Sequence, residues 1–120
     1  EDQAQALALY RQAAEQGHAK SMNLLGRYLE DGLHCPKDLE AAVEWYRRSA
    51  EAGDFRGQFS HAAVLADSGQ VDAALEWLRK ALEGGNLKFL RTAHKALALA
   101  DDPRIRAMAE AYQQRAATFS

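Results

Sequence analysis

The sequence predicts an all-α solenoid of about seven antiparallel-stacked helices, and three observations carry that expectation. First, a nine-residue stretch recurs: Leu9-Tyr10-Arg11-Gln12-Ala13-Ala14-Glu15-Gln16-Gly17, then Trp45 to Gly53, then Trp77 to Gly85. The closing glycines stand 36 and 32 residues apart, a period typical of stacked helical repeats. Second, Ala occurs 25 times and Leu 15 times, against six Val, Ile and Thr together. Ala and Leu lose little on entering a helix, whereas β-branched side chains crowd the preceding turn, so no sheet is expected. Third, the helix punctuation keeps the same period. Asp38 is placed as an N-cap, with Asp2 as its counterpart and Gln70 as a poorer one, and Gly17, Gly53 and Gly85 fit the position after a helix.

Each copy of the stretch reads as the second half of a B helix. Small residues precede it at Ala6, Ala42 and Ala74, and Ala13, Ser49 and Ala81 follow the aromatic positions on the same face. Trp45, Tyr46 and Trp77 are expected to fill the core beside these small residues. An A helix follows each glycine. The first, roughly 19–31, offers Ser21, Met22, Leu25 and Leu29 to the core. The second, roughly 55–67, offers Gly57, Gln58, His61 and Leu65. The third, roughly 87–100, offers Phe89, Leu90, Ala93 and Leu97. Asp102-Pro103 then opens a last helix, Asp as N-cap and Pro at the first helical position. Its apolar side, Ile105, Met108, Ala109, Tyr112, Ala116 and Phe119, suits a terminal capping helix. The expected organisation is one domain over 1–120: a leading helix 2–16, repeats 18–53 and 54–85, then a degenerate repeat with the capping helix, 86–118.

Residues 2 to about 92 resemble the Sel1-like repeat, a relative of the tetratricopeptide repeat. The resemblance rests on Ala13-Ala14-Glu15-Gln16-Gly17-His18-Ala19, Leu25-Gly26, Asp31-Gly32, Cys35-Pro36-Lys37-Asp38, Ala42 and Trp45-Tyr46. It implies a right-handed superhelix with A helices on the concave side, B helices outside, and a role in assembling protein complexes. His34 departs from the pattern, standing where the family often has glycine in the turn. The second repeat is four residues short in the same loop, and His61 occupies the place of Leu25.

The formal net charge of −2 supplies no basic field for nucleic acid. The longest Ala-Leu run, 96–100, is too short to cross a bilayer. One cysteine permits no intrachain disulfide. Cys35 beside His34 invites a nucleophile–base reading, but adjacent side chains rarely meet and no third group is evident; Cys35 is expected to fill a small apolar turn position. His18, His34, His61 and His94 have no metal-ligand spacing, and no phosphate-binding loop is present. Neither catalysis, a cofactor nor a metal is expected. His61, at a core position, would need a hydrogen-bond partner or a depressed pKa.

The expected binding surface is the A-helix face turned away from the core: Lys20, Asn23 and Arg27 in the first A helix, Arg56, Phe59 and Ser60 in the second, Lys88, Arg91 and Lys95 in the third. Lys20, Arg56 and Lys88 are equivalent positions and would stack as a basic ladder, with Phe59 as an apolar anchor for an acidic segment. The resulting reading is a non-catalytic scaffold binding a protein or peptide in its concave groove. The resemblance extends this to a bacterial envelope or secretion-related adaptor, or a toxin-immunity protein, in the periplasm or outside the cell. The chain opens inside a repeat without Met, as a trimmed or processed product would. The competing reading is a structural fragment of a longer solenoid, stacking on further repeats without a ligand site of its own.

Overall fold

The computed structural model describes residues 3–119. Among these it contains seven helices and no strand: α1 (Gln3–Glu15), α2 (Ala19–Asp31), α3 (Leu39–Glu51), α4 (Phe55–Asp67), α5 (Val71–Gly84), α6 (Leu87–Ala98) and α7 (Pro103–Ala117). Successive helices pack on one another from α1 to α5 and again from α6 to α7, while α5 and α6 approach only slightly; α2 also touches α4, and α5 touches α7. This is an all-α helical repeat solenoid, with α1, α3 and α5 as B helices, α2, α4 and α6 as A helices, and α7 packed on the end.

The ends of the helices are set by local chemistry. Asp38 caps α3 by accepting from the N–H of Ala41, and Asp102 caps α7 by accepting from those of Arg104 and Ile105. Gln70 makes no capping bond. The A helices have caps of their own in His18, Asp54 and Asn86, which accept from the N–H three residues on. Asp2 lies outside the described residues. Gly17 and Gly53 take the left-handed conformation (φ 94° and 97°), where a Cβ is costly. Gly85 does not: its backbone is extended, φ −75° and ψ 149°. It must be small for a different reason, since a Cβ there would sit 2.5 Å from the Phe89 ring and 3.0 Å from the Ala81 carbonyl. His34, at the turn position expected to favour glycine, keeps the left-handed conformation, φ 59°.

The core has two parts. Leu7, Ala14, Met22, Leu25, Leu29, Ala42 and Tyr46 form one cluster across α1–α3. Ala62, Leu78, Phe89, Leu90, Leu97, Ile105 and Tyr112 anchor a second across α4–α7. The core positions expected in α2 and α6 are all buried. In α4 the expectation holds for Gly57 alone; Gln58, His61 and Leu65 are half-buried, and Ala62 is the other buried residue. The aromatic pairs are also divided. Tyr46 and Leu78 are buried, while their neighbours Trp45 and Trp77 are only half-buried under the cations of Arg48 and Lys80. Leu9 is 64% exposed. On α7, Ile105, Ala109 and Tyr112 are buried, but Phe119 lies past the helix end and is 48% exposed.

The seam between the two clusters is built from small polar groups. Ser49 of α3, fully buried, donates to the Ala19 carbonyl of α2 at 2.8 Å and lies against Gly57 of α4. The Gln58 amide reaches the Ala50 carbonyl, and the Ser60 hydroxyl donates to Oδ1 of Asn23 at 2.8 Å. These bonds satisfy groups that close helix packing would otherwise strand without water.

Candidate partner-binding groove

The A helices present a cleft of about 300 Å³ lined by Asn23 and Arg27 of α2, Arg56, Phe59 and Ser60 of α4, and Lys88, Phe89, Thr92, Ala93 and Ala96 of α6. Six of the nine residues expected on this face therefore meet around one cavity. The floor is aromatic. Phe59 and Phe89 meet edge to face, ring centroids 5.6 Å apart, and Phe55 lies 4.8 Å from Phe89 on the other side. The Arg56 guanidinium is held over the Phe55 ring at 4.7 Å, which places the charge of this half-buried side chain at the cleft.

Asn23 is not the exposed contact expected of it. It is 3% exposed, and its side-chain oxygen is taken by Ser60. The helical wheel placed Asn23 on the solvent side of α2, but the close approach of α4 across the seam covers it. Both residues serve to join α2 to α4. Phe59 is half-buried and packs on the α4–α7 cluster, so it is floor more than projecting anchor. Arg91 and Lys95 line a separate cleft between α6 and α7, with His94, Gln113, Ala116 and Ala117. Lys20 is exposed in the first turn of α2 and is not among the residues lining the groove. The basic ladder thus has two rungs at the cavity, Arg56 and Lys88, with Arg27 beside them. Sequence reasoning assigned Phe89 and Ala93 to the core alone; each also reaches the cavity floor.

Among the described residues only Arg47, Arg48 and Arg104 have a carboxylate at ion-pair distance, and the cations of this face share their unpaired state with Arg11, Lys37, Arg79, Lys80, Arg106 and Arg115. Arg47 and Arg48 on α3 are paired with Glu44, and Arg47 also with Glu51; Arg104 is paired with Asp72 and Asp102. The Arg47 bonds hold the Glu44 carboxyl below its usual pKa. Among the described residues, Arg27, Arg56 and Lys88 have no carboxylate at ion-pair distance. Arg56 and Lys88 also stand second in their helices, where the helix macrodipole is positive and a cation is unfavourable by ~0.3–1 kcal/mol. The starts of two B helices follow the opposite and stabilising rule, with Glu40 in the first turn of α3 and Asp72 in that of α5, whereas α1 and α3 end in Glu15 and Glu51.

The remaining groups singled out in the sequence have structural surroundings. His34 Nε2 is 3.2 Å from Oε1 of Gln3, and the half-buried Cys35 thiol points to the Tyr28 carbonyl at 3.7 Å. Among the described residues no cluster of His, Cys, Asp or Glu could hold a metal ion. His61 meets Trp77 edge to face at 5.2 Å, and its Nδ1 is buried without a hydrogen-bond partner. Burial lowers its pKa, with Glu51 opposing and Arg47 reinforcing.

The Sel1 repeat profile matches residues 1–18, 19–54 and 67–86, more than half of the chain. The chain belongs to the Sel1 repeat family. The stretch left unmatched between the repeats contains α4 up to Ala66, the helix with the fewest buried apolar residues and with His61 in the place of leucine. A Sel1 repeat protein from Oxalobacter formigenes superposes with a TM-score of 0.71 at 23% identity, over 99% of this chain and 51% of that one. A protective antigen of uropathogenic Escherichia coli with an SLR fold superposes with a TM-score of 0.72 at 31% identity, over 98% of this chain and 26% of that one. A chitin synthase regulator, SKT5, of Malassezia restricta is 46% identical over 46 residues, which are 38% of this chain and 3% of the fungal protein. The chain thus spans about half and about a quarter of the solved relatives and a small part of the curated one. Sel1 repeats mediate protein–protein interaction and are in general non-catalytic scaffolds. Among the described residues no helix is long and apolar enough to cross a membrane.

Proposed function

We propose that this Sel1 repeat chain is a non-catalytic scaffold that binds an acidic segment of a partner protein in its concave groove. The observation that supports this is the gathering of Arg27, Arg56 and Lys88, unpaired, around an aromatic floor. Guanidinium groups suit bidentate pairing with carboxylates, and the phenyl rings offer apolar area beside them. Arg91, Lys95 and Lys20 extend the positive field without lining this cavity. An envelope or secretion adaptor and a toxin-immunity protein are two settings in which such a scaffold would work. The fungal regulator among the relatives means that a bacterial source is no part of the reading.

The test is titration of a partner with wild type and with Arg56→Glu/Lys88→Glu, the partner obtained by affinity capture on the wild-type protein and then purified. Both side chains point away from the core, so folding should change by about 0.5 kcal/mol or less per site, while binding should be abolished and wild-type binding should weaken with salt. Arg79→Glu, on the outer helix α5 and lining neither cleft, is the control, because Arg47 and Arg48 are tied into ion pairs. Equal affinity of wild type and the groove variant would show the groove to be a solvated face.

A second reading, stacking on further repeats, is favoured by one observation. Leu9 is 64% exposed, where its equivalents Trp45 and Trp77 are half-buried. It lies in a cleft with Leu7, Ala8, Cys35 and Pro36 that another helix would cover.

A further inference from the structure

We propose that the concave groove is one two-signed cradle, and that its occupant is a single segment of a partner protein with acidic residues at one end, a short apolar stretch, and basic residues at the other. The proposal rests on the reading of the basic groove given above and extends it to a second site on the same face. Beyond Phe59 and Ala96, which the basic cleft shares, a cleft of about 580 Å³ continues between α4, α6 and the start of α7. Its floor is Ala62, Ala63, Ala66 and Leu97, small or flat side chains that leave the channel open. Its rim is acidic, and no Lys or Arg lines it. Asp102 is occupied as the α7 N-cap and by Arg104. Asp67 and Asp101 are exposed, and among the described residues neither carboxylate has a cation at ion-pair distance, though the Arg106 guanidinium donates to the backbone carbonyls of Ala100 and Asp101 at the α7 end of the rim.

Asp101 and Asp102 stand at the start of α7, where a carboxylate is favourable, but the placement of Asp67 works against the helix that carries it. Asp67 is the last residue of α4, where the macrodipole is negative and a carboxylate is unfavourable; Asp31 ends α2 in the same way. Arg56 and Lys88 at the starts of α4 and α6 likewise add to the helix dipoles; carboxylates also end α1 and α3, at Glu15 and Glu51, so it is the cations at the helix starts that set the A helices apart from the B helices. The result is a groove positive around Arg27, Arg56 and Lys88, negative around Asp67 and Asp101, and apolar between. Arg56 and Asp67 are separated by eleven residues of one helix, roughly 16 Å at 1.5 Å per residue. A bound segment would bridge that span with about five residues if extended or about eleven if helical.

The experiment is selection of a displayed library of random 16-residue peptides on the whole chain, in parallel on wild type, Asp67→Lys/Asp101→Lys and Arg56→Glu/Lys88→Glu. A cation is favourable at the end of α4 and unfavourable just before the α7 N-cap, so in Asp67→Lys/Asp101→Lys the two effects oppose and it should fold about as well as wild type; circular dichroism checks all three. Wild type should enrich peptides that are acidic at one end and basic at the other, separated by an apolar stretch of the length given above. The Asp67→Lys/Asp101→Lys variant should keep the acidic preference, lose the basic one, and bind the wild-type-selected peptides about tenfold more weakly in fluorescence anisotropy. Enrichment of acidic peptides with a neutral far end, bound equally by wild type and Asp67→Lys/Asp101→Lys, would overturn the two-signed cradle while leaving the basic groove standing. Absence of any acidic preference on wild type would overturn both.

Discussion

Replacing Gly57 with Ala tests the seam that joins the two halves of the core. Propensity alone predicts a gain, because Gly in a helix costs ~0.8–1 kcal/mol relative to Ala, somewhat less here because Gly57 is in the first turn of α4. The packing predicts the opposite. A Cβ at Gly57 would lie 2.5 Å from Ser49 Cβ and 3.0 Å from the Ser49 carbonyl carbon, with the hydroxyl oxygen closer still. Ser49 cannot move aside freely: it is fully buried, and its hydroxyl holds the Ala19 carbonyl of α2. Overpacking of this kind costs ~1–3 kcal/mol, and a broken buried hydrogen bond adds about 1 kcal/mol. The net expectation is a loss of about 2 kcal/mol, or roughly 8 °C in Tm for a chain of this size. Gly84→Ala is the internal comparison. Gly84 is the last residue of α5, its φ is not positive, and the nearest atom to its Cβ would be Phe55 Cβ at 3.9 Å. The same substitution there should stabilise by ~0.4–1 kcal/mol. Urea unfolding followed at 222 nm reads both. If Gly57→Ala stabilises as Gly84→Ala does, the close approach of α3 and α4 is not as described.

Other substitutions probe single groups. His61→Leu removes the unpartnered buried Nδ1 and restores the side chain that α2 carries at Leu25, so it should stabilise by about 1 kcal/mol. It should also flatten a pH dependence. The folded-state pKa of His61 lies below its unfolded value near 6.5, so as pH falls through about 6.5 the unfolded chain binds the proton first. Wild-type stability should therefore be level above that pH and decline below it, with a shallower decline in the variant; parallel unfolding curves from pH 7 to 5 for the two proteins would refute this role. His34→Gly relieves a left-handed residue that bears a Cβ, and should raise stability by up to ~1 kcal/mol. The gain is opposed by the freer unfolded chain and by loss of the exposed bond to Gln3; a falling urea midpoint would mean that those losses outweigh the strain.

The sequence by itself determined the repeat, the seven helices, most of their ends and the chemistry of most caps. These follow from local rules: spacing of small and apolar residues, Asp before a helix, glycine after it. It also determined which A-helix faces carry cations, because a helical wheel needs only 100° per residue. Only the tertiary structure decided which of those cations share a cavity. Arg56 and Lys88 meet because α4 and α6 converge at Phe55, Phe59 and Phe89, whereas Arg91 and Lys95 turn towards α7. It also decided that Asn23 is buried, since the cover comes from Ser60, 37 residues away. Gly85 was legible as a glycine site, but its reason lay in the ring of Phe89 and not in its own φ. A helical period tells which way a side chain leaves its own helix; what it meets there depends on how neighbouring helices cross, and that is set by bulk and small residues on both partners at once.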